Sequence, residues 1–224
     1  RSRAKVSSNA SKIFFMEIDM GLENFVGCGN IRLDQQLKFV AEIDKMTQVF
    51  RHTMLVDGSR RENDAEHSWH IAVMALLFTE YVKQKPDVGR AVKMLVVHDL
   101  IEIYAGDTFA FDVEGNKTKE QNEAAAADKL FAQLPSEQGA EIRALWEEFD
   151  DMKTPDSIYA NCMDRIQPFL HNTLTEGTTW KEGVVSKTQV ENRLAIVKEN
   201  MPELWKWVEI NIEEAIKQGW IKAE

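Results

Sequence analysis

Cysteine is scarce: only Cys28 and Cys162 occur among 224 residues. Two cysteines exclude a disulfide framework and fit a reducing compartment, so a cytoplasmic protein is expected. Long hydrophobic runs are lacking too. No apolar stretch approaches the ~20 residues that a membrane-spanning helix needs, so no membrane partner is expected. Positive charge is in deficit: 27 Lys and Arg face 37 Asp and Glu, a net charge of −10. A chain so charged does not bind nucleic acid polymers or anionic membranes through its overall field. An anionic small molecule would then need a local basic group. Repeats, low-complexity tracts and convincing linkers are absent as well.

The remaining composition is that of a globular protein, with 44% hydrophobic and 29% charged residues, enough to bury a sizeable core. Residues 1–15, which include the polar RSRAKVSSNAS, are expected to be a tag or disordered leader. Met16 or Met20 then stands closer to the native start, and 16–224 forms a single domain. The pattern within it is all-α, with about seven or eight helices. Leu33, Leu37, Val40, Ile43, Val49 and Phe50 recur at helical spacing, and residues 66–83 continue the period. Asp87 is the expected N-cap of a helix running to about Ala105, where Gly106 stops it. Residues 107–116 read as a loop through Asp107, Thr108, Gly115 and Asn116. Further helices are expected over 117–134, from Pro135-Ser136 through Phe149, and from Thr154-Pro155 to His171. Residues 175–187 read as loop, and two last helices cover 188–200 and 202–218.

Polar residues interrupt this pattern in three places. The word MLVVHDLIEIYAGDT (94–108) sets His98, Asp99, Glu102 and Asp107 among apolar residues. Spacings of three and four bring Asp99 and His98 to the face of Glu102 on a helix. Alone, this word also suits a solvated helix end. Upstream, NDAEHSWH (63–70) carries His67 and His70. Downstream, YANCMDRIQPFL (159–170) sets Asp164 among apolar neighbours. A buried charge is costly unless it is paired or bound to metal. His67, His98, Asp99 and Asp164 together make a set of two imidazoles and two carboxylates, suited to a divalent transition ion rather than calcium. With only five histidines, one ion is expected rather than two.

In order, these residues spell H…HD…D, and the chain resembles the HD-domain metal-dependent phosphohydrolases. The words around them, Glu66-His67-Ser68-Trp69, His98-Asp99-Leu100-Ile101-Glu102, Gly106-Asp107, Leu145-Trp146-Glu147-Glu148-Phe149 and Asp164-Arg165, are similar to the subgroup that contains the bacterial 5′-deoxynucleotidases. So is Arg51 followed by Arg60, Arg61 and Glu62. The resemblance spans about 33–172 and leaves 173–224 as a C-terminal helical extension.

The resemblance implies a 5′-nucleotidase that releases phosphate from (deoxy)nucleoside 5′-monophosphates. It implies His67, His98, Asp99 and Asp164 as ligands of one divalent ion (Mn, Co, Fe, Zn or Mg). It makes Glu102 and Asp107 the catalytic carboxylates that handle the attacking water and the leaving oxygen. It makes Arg51 the phosphate contact, shared with or replaced by Arg60 or Arg61, and sets His52 against the base or sugar. Glu66 is expected to support a ligand imidazole, and His70 and His171 to be buried or helix-end histidines rather than ligands. A homodimer is expected from the relatives. The alternatives are a phosphodiester or pyrophosphate hydrolase acting on another nucleotide, and a metal-binding module without turnover. The extra ligand histidines of the cyclic-dinucleotide enzymes are missing, and a purely structural site has no need of Glu102 and Asp107.

Overall fold

A computed structural model describes residues 22–112 and 118–224. The expected leader, with Met16 and Met20, lies outside the described residues, as do Gly115 and Asn116 of the expected loop. The fold is helical, and α7 (Pro155–Leu174) runs through its centre. Twelve of its positions are buried, on nearly all sides, as expected of a helix wrapped by its neighbours. Around it pack α2 (Asp64–Leu77), α3 (Val88–Val97), α6 (Ser136–Asp151) and α10 (Ala195–Asn200). Ile71, Met94, Leu95, Tyr159 and Met163 are among the side chains fully buried between them. No helix among the described residues is long and apolar enough to cross a membrane.

Short polar signals start these helices. Asn63 accepts from the Glu66 backbone while Glu66 reaches back to the cap, a capping box that opens α2. Asp87 caps α3 as expected. Thr154 and Ser157 form a second capping box with Pro155 in the first turn of α7. Ser186 and Gln189 form a third, opening α9 (Lys187–Arg193).

The structure corrects several boundaries. Helix α1 (Ile31–Ile43) ends before Val49 and Phe50. Those residues instead lead into β1 (Phe50–Met54), which pairs antiparallel with β2 (Arg61–Asn63). The turn between them places Gly58 at φ 68° and holds Ser59 through the Asp57 carboxylate, so Asp57-Gly58 was the hairpin signal in the sequence. The expected helix to Ala105 breaks after Val97. Leu100 and Glu102 donate to carbonyls three residues back, and only a short α4 (Glu102–Ala105) follows. Gly106, at φ 76°, then ends it as expected. α5 (Lys119–Phe131) leads to α6. The expected loop at 175–187 contains the short α8 (Thr178–Glu182). The expected helix over 188–200 is split at Leu194 into α9 and α10, and α11 (Pro202–Lys217) follows.

Candidate active site

Three elements meet beside the middle of α7. α2 brings His67, the break after α3 brings His98 and Asp99, and α7 brings Asp164. All four are buried. The Nδ1 of His98 lies 2.9 Å from the carbonyl of Leu95. A carbonyl only accepts, so Nδ1 is the donor, and in the neutral ring Nε2 carries the lone pair. That Nε2 is buried without a hydrogen-bond partner, although Asp99 Oδ2 stands 3.0 Å away. His67 repeats the arrangement. Gln167 donates through Nε2 to Glu62 at 2.8 Å, which turns its Oε1 toward His67 Nδ1 at 3.1 Å. His67 Nε2 then faces Asp164 Oδ1 at 3.2 Å. Two acceptors that close call for a cation between them. His67, His98 and Asp164 place ligand atoms within 4.8 Å of one another, and the mixed nitrogen and oxygen donors fit a divalent transition ion.

A proton answers the same demand. Burial works against a charged imidazole at His98, yet Asp99 and Asp164 outweigh it and raise its pKa to about 10. Burial would raise Asp99 and Asp164, but the two imidazoles, with Arg51 and Arg193, hold both well below the usual carboxylate range.

A second group of carboxylates adjoins the first. Asp64, Asp99 and Glu102 are all buried, with oxygens within 4.8 Å of one another. Burial and Asp99 push Asp64 up to about 7. Burial, then Asp99, Asp64 and Asp107, raise Glu102 well above an ordinary glutamate. Burial also raises Asp107, against the pull of Arg51. Arg51, delivered by β1, sits among them, with Nη1 2.7 Å from Asp99 Oδ2 and 3.2 Å from Asp64 Oδ1.

Most of these groups, with His67 and Asp64 behind them, line a cavity of about 490 Å³, within the range of small-ligand sites. Arg51, His98, Asp99, Glu102, Asp107 and Asp164 form its polar end, and Phe109, Trp146, Phe149 and Trp180 an aromatic wall. His52 also lines it, its ring 4.7 Å from that of Phe109.

Three expectations are corrected. Arg60 does not reach the cavity, because its guanidinium pairs with Glu66 on the surface. Arg61 is likewise engaged, by the His52 carbonyl and by Glu182 at 2.7 Å. Glu66 therefore faces away from His67, whose ring is supported by Gln167 instead. His70 and His171 are no part of the donor set: both stand against Gln167 Nε2, and His171 Nδ1 donates to the Met54 carbonyl. Residues that the sequence did not single out are Asp64, Gln167 and Arg193. Asp64 lies one turn before His67 and Gln167 one turn after Asp164, a spacing that could have found them. No local signal ties Arg193, on α9, to this place.

A family model described as "HD domain" matches residues 43–205. The chain belongs to the HD-domain family. The match runs past residue 172, where the resemblance was expected to end, and takes in α8, α9 and α10. The chain is 25% identical over 162 residues to the 5′-deoxynucleotidase HDDC2 of Homo sapiens, covering 71% of this chain and 76% of that one. It is similar to the solved structure of a "predicted metal-dependent phosphohydrolase" from Magnetospirillum magnetotacticum MS-1. The TM-score is 0.79 at 44% identity, covering 85% of this chain and 98% of the other. A conserved hypothetical protein from Pyrococcus furiosus shares the fold, with a TM-score of 0.53 at 24% identity over 81% of this chain and 99% of the other.

Proposed function

We propose that this HD-domain chain is a metal-dependent 5′-nucleotidase that hydrolyses (deoxy)nucleoside 5′-monophosphates. The observation that carries the proposal is the cavity. It sets the His98 imidazole, the Asp99 and Asp164 carboxylates, Glu102, Asp107 and the Arg51 guanidinium in one cavity with the aromatic side chains Phe109, Trp146, Phe149 and Trp180. The human relative named as a 5′-deoxynucleotidase supports the same reading.

His67, His98, Asp99 and Asp164 would hold one divalent ion, with Gln167 and the Leu95 carbonyl fixing the imidazoles. When bound, such an ion supplies electrophilic activation of the phosphoryl group and of a water. Glu102, raised by burial, is a stronger base than an exposed glutamate and takes the proton of the attacking water. As the water oxygen bonds to phosphorus, the bond to the 5′-oxygen breaks. Asp107, whose pKa is also raised, gives that oxygen a proton. Arg51 offsets the charge of Asp64 and Asp99, so that an anionic substrate can approach a carboxylate-rich floor. His52 and Phe109 present ring faces to the sugar or base.

The scarcity of cysteine supports a cytoplasmic setting. A homodimer is supported by an apolar stripe on α2, where Trp69, Val73, Leu76 and Leu77 are 68%, 36%, 62% and 62% exposed.

The test is phosphate release from a panel of 5′- and 3′-nucleoside monophosphates with Mn²⁺, Co²⁺, Zn²⁺ and Mg²⁺. Turnover of 5′-monophosphates, abolished by a chelator, is expected. Metal binding without phosphate release from any of them would favour the module without turnover. Turnover of diesters or pyrophosphates alone would favour the other hydrolase reading.

A further inference from the structure

In an acidic chain, the cations that face the cavity decide where an anion sits. Among the described residues four do so: Arg51, Lys119, Arg165 and Arg193. Arg51 is engaged by Asp64 and Asp99, and Lys119 Nζ lies 3.4 Å from Glu123. Arg165 differs. It follows Asp164 on α7, and among the described residues its guanidinium pairs with no carboxylate. Its Nη1 donates to the Arg193 carbonyl at 3.3 Å, and its Nη2 meets the thioether sulfur of Met152 at 3.0 Å. Its Nε is buried without a partner. A neutral carbonyl and a thioether are weak company for a permanent charge.

Arg193, at the end of α9, adds a second charge beside it. Its Nη2 lies 3.2 Å from Asp164 Oδ2, while Asp164 Oδ1 faces His67. The bond from Arg165 to the Arg193 main chain ties the two residues together. Two arginines from different helices are thus tied together at the edge of the His67, His98 and Asp164 set, and among the described residues the Asp164 carboxylate answers Arg193 alone. Like charges so placed gain from a shared anion. Guanidinium groups match the oxygens of a tetrahedral oxyanion through paired N–H donors.

We propose that Arg165 and Arg193 form the subsite that grips the phosphoryl group of the substrate, beside the donor set where the phosphorus is attacked. This rests on the nucleotide reading above and deepens it. It adds α7 and α9 to the phosphate contact that the resemblance implies for the hairpin residue Arg51.

The test uses Mn²⁺-loaded protein and the variants Arg193→Met, Arg165→Met and Arg193→Lys. Measured are KM and kcat for a nucleoside 5′-monophosphate, Ki for inorganic phosphate, and metal content. Loss of a charge-assisted contact should raise both KM and the phosphate Ki about tenfold or more. Metal content should hold, and Arg193→Lys should recover part of the loss. A residue that only props Asp164 would lower metal content or kcat and leave KM and Ki unchanged, and that result overturns the proposal. If Arg165→Met folds poorly, the more exposed Arg193→Met decides alone. If the wild type turns over no nucleotide, the proposed function falls. Calorimetric titration of inorganic phosphate into wild type and Arg193→Met then still decides the subsite, since equal affinities would overturn it.

Discussion

Glu102 shows how position changes the chemistry of a residue. An exposed glutamate is fully ionised at neutral pH and a weak base. Here the side chain is buried, its Oε2 has no partner, and Asp99, Asp64 and Asp107 surround it. Each of these disfavours the charged form and strengthens the base. Glu102→Gln keeps the volume and removes the base. It is expected to lower kcat by about 10²–10⁴-fold, with KM and metal content unchanged. The thermal midpoint should not fall, because no ion pair among the described residues is lost. Turnover near the wild-type rate would move the base role to Asp107 or Asp99, and loss of metal would make Glu102 a ligand. The residues that the sequence disclosed are those whose chemistry clashes with their neighbours, such as His98 and Asp99 after Met94-Leu95-Val96-Val97. Those that it hid depend on distant partners. Nothing near Gln167 says that its amide will be oriented by Glu62, 105 residues away. Nothing near Arg193 says that it will stand against Asp164.

At the scale of elements, helix starts were legible because their chemistry is local. Asp87 and Thr154-Pro155 cap the helices they were expected to cap. The break between α3 and α4 was not legible, since Leu100, Ile101 and Ile103 continue an apolar run that suits an unbroken helix. Tertiary packing chose the tighter turn, and it is this turn that sends His98, Asp99 and Glu102 into one cavity. The junction of α5 and α6 offers a test in which packing opposes propensity. Gly139 lies in the first turn of α6, and an added Cβ would stand 2.4 Å from the carbonyl oxygen of Phe131. Helix propensity alone predicts that Gly139→Ala stabilises by up to about 1 kcal/mol. The contact is with backbone, which cannot rotate away, so the substitution must push α5 from α6. A net loss of about 1–3 kcal/mol is expected, lowering the thermal midpoint by roughly 2–4 °C per kcal/mol in a chain of this size. Calorimetry that finds a raised midpoint would mean that the junction relaxes freely.

At the scale of the molecule, the donor set and the rest of the cavity have different supports. α2, the turn after α3 and α7 hold the imidazoles and carboxylates, whereas Thr179, Trp180, Val190 and Arg193 bring α8 and α9 to the cavity wall. The last residues of the chain brace that wall. Lys222 accepts from Lys187 at 2.8 Å and donates to Val185 at 3.0 Å. Ile221 is buried, and Trp220 packs so closely on Gly177 that a Cβ there would meet it at 2.4 Å. These contacts lie beyond residue 205, where the family match ends. A chain ending at Gln218 would lose them all. Removing buried apolar side chains of this size costs about 2–5 kcal/mol, so the thermal midpoint should fall by roughly 5–15 °C. The loss of function should be selective, because no donor residue touches the missing segment. Metal content should stay at the wild-type value, while KM for the nucleotide rises as α8 and α9 loosen. If the truncated protein loses metal in proportion to activity, the C-terminal segment supports α7 itself rather than the wall. If KM is unchanged, the segment serves stability alone.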